Sequence, residues 1–147
     1  MPVKASTGLR NHVLATGSVK SALDGGFVKI YAGTVPATAD AALGSAVLLC
    51  VIYSDGTSAG VNLAAAASDG SIAKSGSETW SGTNVASGTA TFFRHVAAAD
   101  DGSASTTAPR LQGTVGVSGA DLNISSTALV AATPQALDYY NLTLPTF

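Results

Sequence analysis

The spacing of apolar residues changes period once, at Asp24-Gly25-Gly26, and that change limits what the chain can fold into. Before it, Leu9, Val13, Val19 and Leu23 recur within a stripe of about 120° at the helical 100° per residue. Ser6 or Thr7 is placed to cap the start, and Asp-Gly-Gly is a stop signal. The spacing predicts a helix over 7–24. Gly17, about 1 kcal/mol worse than Ala inside a helix, marks where it shortens or breaks.

Beyond the change the period is two. Val28 and Ile30 oppose Phe27, Lys29 and Tyr31, as on the two faces of a strand. Gly33 to Gly44 reads as a connection, and the apolar run Ala46 to Tyr53 as a central strand buried on both faces. Gly60 to Ala67 reads as a strand, although its four consecutive alanines also suit a helix. Short strands are predicted near Ile72 and over 78–80. A longer one over 89–98 sets Phe92 and Val96 against Phe93 and His95, and others follow over 110–117, 120–126, 128–131 and 136–144. Ser-Asp-Gly at 54–56 and 68–70 and Asp-Asp-Gly at 100–102 are turn signals. Seven to nine short antiparallel strands, at intervals of about 8–12 residues, predict an all-β jelly roll or β-sandwich with one N-terminal helix. The expected organisation is a single domain over 1–147: a flexible arm at 1–6, the helix at 7–24 and the sandwich over 27–147.

Composition narrows the partners. Charged residues are 11% of the chain, less than half the ordinary ~25%, while Ser and Thr number 33 and Ala 27. Net charge is −2, and the seven Lys and Arg are spread from Lys4 to Arg110 without a cluster, which argues against a surface that tracks nucleic-acid phosphates. No run of about 18 apolar residues is present to cross a membrane as a helix. Met1 to Arg10 lacks the apolar core of a signal peptide, and synthesis in a reducing cytoplasm is expected. Cys50, the one cysteine, lies in the apolar run Val47 to Ile52 and reads as a small buried hydrophobe.

Chemistry needs convergent polar groups, and the chain offers few. His12 and His95 are its two histidines, with no HxxxH or CxxC spacing, so no metal or cofactor is expected. His95 alternates with Phe93 and reads as a strand side chain. Asp100 and Asp101, with Asp121, read as turn carboxylates accepting from backbone N–H groups rather than as a calcium site. The glycines from Gly113 to Gly119, within a strand pattern, leave room for a neighbouring chain or an aromatic ring. Serine and threonine nucleophiles have no identifiable base partner, and no catalytic role is expected. Trp80 has two readings: an anchor for a sugar or protein partner, or a ring folded back over the core. Tyr139-Tyr140 must send one ring to each face of a strand, so one of them is expected at the surface or an interface. With the chain ends, the interface candidates are Pro2, Val3, Trp80, Tyr140 and Phe147.

Several stretches together resemble a family of tailed-phage virion proteins. They are Leu9-Arg10-Asn11, Val28 to Thr34 followed by Pro36-Ala37 and Ala39 to Gly44, and the apolar strand through Leu48-Leu49. Further on come Thr89 to Arg94 and Gln112 to Gly116, continuing through Gly119 to Asn123. The pattern, which covers most of residues 8–145, is similar to capsid cement (decoration) proteins of podovirus-like heads, the Bordetella phage type; Asn62 to Thr83 departs from it. The resemblance implies a jelly-roll structural virion protein that forms a homo-oligomer, binds the major capsid protein on the capsid exterior and stabilises the shell. The alternative is a tail or fibre module that binds a host receptor or glycan.

Overall fold

In a computed structural model, which describes residues 3–146, 36% of the described residues are strand and 10% helix, an all-β sandwich with a helical N-terminal segment. The predicted helix is two. Ser6 caps α1 (Thr7–Ala15) by accepting from the Leu9 N–H, and Ser18 caps α2 (Val19–Leu23) in a reciprocal capping box with Ser21. Gly17 lies at the break, where a Cβ would stand 2.5 Å from Ser21 Oγ and 2.9 Å from His12 Nε2. Those two side chains meet at 2.9 Å across the junction.

The expected flexible arm is corrected at its inner end. Lys4–Ala5 forms β1, paired antiparallel with β7 (Arg110–Gly116) in the register Lys4↔Gln112. Ser6 is buried, its hydroxyl donating to the Ala108 carbonyl and accepting the Arg110 N–H. The main sheet runs β1-β7-β6-β2-β3, where β6 is Gly88–Val96, β2 is Phe27–Ala32 and β3 is Val47–Ile52. β3 therefore ends this order, where a central strand was expected. Its far side is met by loops and by the bridge Tyr53↔Ser81.

Two small antiparallel sheets lie off the main one: β5 (Ser81–Thr83) with β10 (Pro134–Ala136), and β4 (Ser71–Ala73) with β11 (Asn141–Thr143). β8 (Leu122–Asn123) joins β7 in parallel, and β9 (Ala128–Leu129) joins β6. The strands number eleven among the described residues, against seven to nine expected, because several are only two or three residues long. The span 60–67, expected as a strand, holds only the bridges Gly26↔Val61 and Leu63↔Lys74. Residues 78–80 and 137–140 likewise lie outside the ladders.

One face of the main sheet carries the apolar core. Val28, Ile30, Cys50, Ile52, Phe93, Trp80, Leu137 and Tyr140 are all buried there. A smaller cluster of Leu9, Ala22, Leu23 and Leu111 seats the helices, and Leu142 packs against both. Gly113 on β7 answers to the aromatic ring expected beside these glycines: a Cβ there would lie 2.8 Å from Phe93 Cε1.

Candidate functional site

The opposite face of the sheet is polar and nevertheless buried. Arg94 on β6 and Arg110 and Gln112 on β7 are roofed by the loops 33–46 and 97–109. Gln112 Nε2 donates to the Pro36 carbonyl and Gln112 Oε1 accepts from Arg94 Nε at 2.9 Å; Arg94 Nη2 reaches the Ala41 carbonyl. Arg110 forks onto Asp100 and also donates to the carbonyls of Ala39 and Ser103. Burial, and then the like charge of Arg110, lower the pKa of Arg94, whose Nη1 has no partner. Tyr31 stacks on Phe92 beside them at 5.0 Å, and burial pushes its hydroxyl up to about 12. This cluster fastens loops to the sheet. Sequence reasoning missed it, although a Lys/Arg-poor chain that alternates Arg94, Arg110 and Gln112 through its longest strands carries the signal.

A second buried group corrects two of the interface candidates. Trp80 is 1% exposed and Tyr140 is 4% exposed, so neither presents a ring to a partner. Their centroids lie 5.1 Å apart, and Trp80 Nε1 donates to Glu78 Oε2 at 2.7 Å, which answers the polar neighbourhood of the indole. Tyr140 is drawn inward because its hydroxyl bonds His95 Nδ1 at 2.8 Å, leaving Tyr139 outward at 74% exposure. Residues 137–140 do not alternate as a strand, so Leu137 and Tyr140, three apart, share the inner side. Asp100, Asp101 and Asp121 do not converge either. Asp100 serves Arg110, Asp101 caps Ser103, and Asp121 accepts from Thr114.

The candidate site is a groove of about 540 Å³ between the N-terminal segment and the β4–β11 sheet. Val3, Ala5, Val19, Leu111, Leu142 and Leu144 supply apolar walls, and Lys20 at the rim is engaged by Asp24 at 2.5 Å. Two sheet edges border it. Ser6 N–H donates to the Arg110 carbonyl, so by antiparallel alternation Lys4 faces β7 while the main-chain groups of Val3 and Ala5 point away. Likewise Lys74 N–H donates to Tyr140 O and Leu144 N–H to Gly70 O, which turns the main-chain groups of Asn141 and Thr143 outward. All four outward-facing residues line the groove. Val3 is thus the sequence-stated candidate that the groove includes, while Pro2 and Phe147 lie outside the described residues.

A second exposed surface gathers Val47, Val85 and Val130, each more than half exposed. Val85 N–H donates to the Leu49 carbonyl and Asn84 Nδ2 to the Val130 carbonyl, which ties their segments together. Comparison of the chain with protein families, characterised proteins and solved structures returned no match.

Proposed function

We propose that the protein is a structural component of a phage virion, a cement protein that docks on the outer face of the assembled capsid and reinforces it. The observation that carries this reading is the apolar groove bordered by two outward-facing strand edges. Unpaired main-chain N–H and C=O groups flanking an apolar trough suit the addition of an extended strand, with main-chain bonds for affinity and side-chain pockets for register. The strand received there is one from the shell protein, and the exposed Val47, Val85 and Val130 surface meets a neighbouring copy. Few charges need desolvation on this face, and many weak contacts repeated over a shell add through avidity. The receptor-binding or glycan-binding alternative has less support, because stacking on sugars calls for several exposed aromatics on one face, and with Trp80 withdrawn into the core Tyr139 is the one exposed aromatic among the described residues.

The test uses two groove variants. Thr143→Pro removes an N–H that the β4–β11 ladder does not use and blocks strand addition; Leu144→Glu places a charge on an exposed wall residue. Both are expected to keep the melting temperature within a few degrees and to lose capsid attachment. Particles lacking the protein are expected to assemble with normal geometry and rupture or release DNA at lower temperature. Undiminished attachment by both variants overturns the groove as the docking site. Particles as robust as wild type that fail to adsorb to cells give the role to the receptor-binding reading.

A further inference from the structure

We propose that His95 is an acid-operated latch, holding the segment that carries β11 against the main sheet when neutral and releasing it when protonated. His95 sits on β6, 1% exposed, in the middle of the five-strand order. Its Nδ1 is bonded to the Tyr140 hydroxyl at 2.8 Å, and its ring meets Tyr140 and Trp80 edge-on, with centroids at 5.5 and 6.2 Å. Its Nε2 is buried without a hydrogen-bond partner, although the Leu23 carbonyl on the helix side favours the charged form.

The groups facing His95 from each packed element do not neutralise an imidazolium. Its cross-strand neighbours Val28 on β2 and Leu111 on β7 are apolar. Tyr140 is neutral, and burial pushes its hydroxyl further above its ordinary value. Glu78 is occupied by Trp80 Nε1 and by the main-chain and side-chain N–H groups of Asn62. Asp24, the carboxylate on the helix side, is bonded to Lys20 and to the Leu63 N–H. A proton on His95 therefore places a charge in an aromatic box, and burial lowers its pKa from 6.5 to about 4. The folded value is depressed and the charged form is the protonated one, so the open form binds more protons between pH 6.5 and 4. Closure weakens as pH falls through that window.

The two sides of the latch differ in how firmly they are held. β6 is laddered to β2 and β7 over five or more residues each, whereas β11 pairs with β4 over three. The imidazolium reaches water at least cost if the β11 segment leaves. That segment, with Asn141 and Leu142, is one wall of the groove, so release dismantles the groove as well.

The full chain tests this directly, because Trp80 is its single tryptophan. Trp80 emission, the ring protons of the two histidines and amide exchange are followed from pH 8 to 4. A red shift below pH 6.5 is expected, with the ladder amides of Ile72, Lys74, Leu142 and Leu144 losing protection before those of β2, β6 and β7. In His95→Gln the midpoint is expected at least one pH unit lower, a tenfold higher proton concentration. An unchanged midpoint in that variant overturns the latch. So does a wild-type His95 ring that titrates near 6.5 with Trp80 still buried, or loss of protection throughout the chain in one step. The wild-type measurements decide even if the variant does not fold, and none of them depends on a capsid.

Discussion

Arg110 holds Asp100 through Nε at 2.5 Å and Nη2 at 2.9 Å, with both side chains at 2% exposure or less. The pair ties the start of β7 to the turn at 100–102, where Asp100 also accepts the Gly102 N–H, and Arg110 Nη1 reaches across to the Ala39 carbonyl. One ion pair thus fastens both roofing loops. A buried pair contributes little net stability against an apolar replacement, yet removing one partner strands a charge.

Asp100→Ala is therefore expected to cost about 3–5 kcal/mol in urea denaturation. Replacing both residues, Asp100→Leu with Arg110→Met, is expected to recover most of that loss, since neither member of the pair is left buried without the other. A single-variant cost below about 1 kcal/mol would show that the loops shield Arg110 without its carboxylate.

Gly113→Ala is expected to destabilise by about 1–3 kcal/mol, the usual cost of overpacking a filled site. The added methyl meets Phe93 Cε1 at 2.8 Å and Asp121 Cβ at 2.9 Å, and Asp121 is held by the Thr114 N–H and hydroxyl. Thermal unfolding checks this. A variant as stable as wild type would mean that the ring has slack to move.

Cys50 is fully buried, and burial raises its thiol to about 11. The folded value lies above the ordinary 9.0, so stability associated with the neutral thiol is whole below pH 9 and is lost as pH climbs from 9 toward 11. At pH 8 a disulfide reagent is expected to label it only as fast as the core opens, with urea accelerating the reaction. Native labelling at the rate of a free thiol would contradict this. Cys50→Ser is expected to cost about 1–3 kcal/mol through a poorly bonded hydroxyl, and Cys50→Ala less.

Much of the local structure was legible. Ser6 caps the helix it precedes, and Gly56, Gly70 and Gly102 adopt positive φ after their aspartates. Phe93 and His95 lie on the core side of β6, as alternation required. Tyr140 was harder to read, because its side is set by His95, 45 positions earlier, once 137–140 leave the ladder. Trp80, whose flanks are polar, is inside because Glu78 supplies the acceptor its indole needs. Two open readings of a residue were thus decided by partners that periodicity does not reveal.

By itself the sequence determined the alternating strands β2, β6 and β7, the Ser6 cap, the Asp-Gly turns and the burial of Cys50, because each rests on φ/ψ preferences and side-chain direction over a few neighbouring positions. Tertiary structure decided that β3 ends the main sheet, that Arg94 and Arg110 lie under a roof, and that Val3 and Thr143, at opposite ends of the chain, border one groove. These relations join residues far apart in sequence. Their free energy comes from ladder pairing, loop closure and desolvation across the whole fold, which no short window of residues contains.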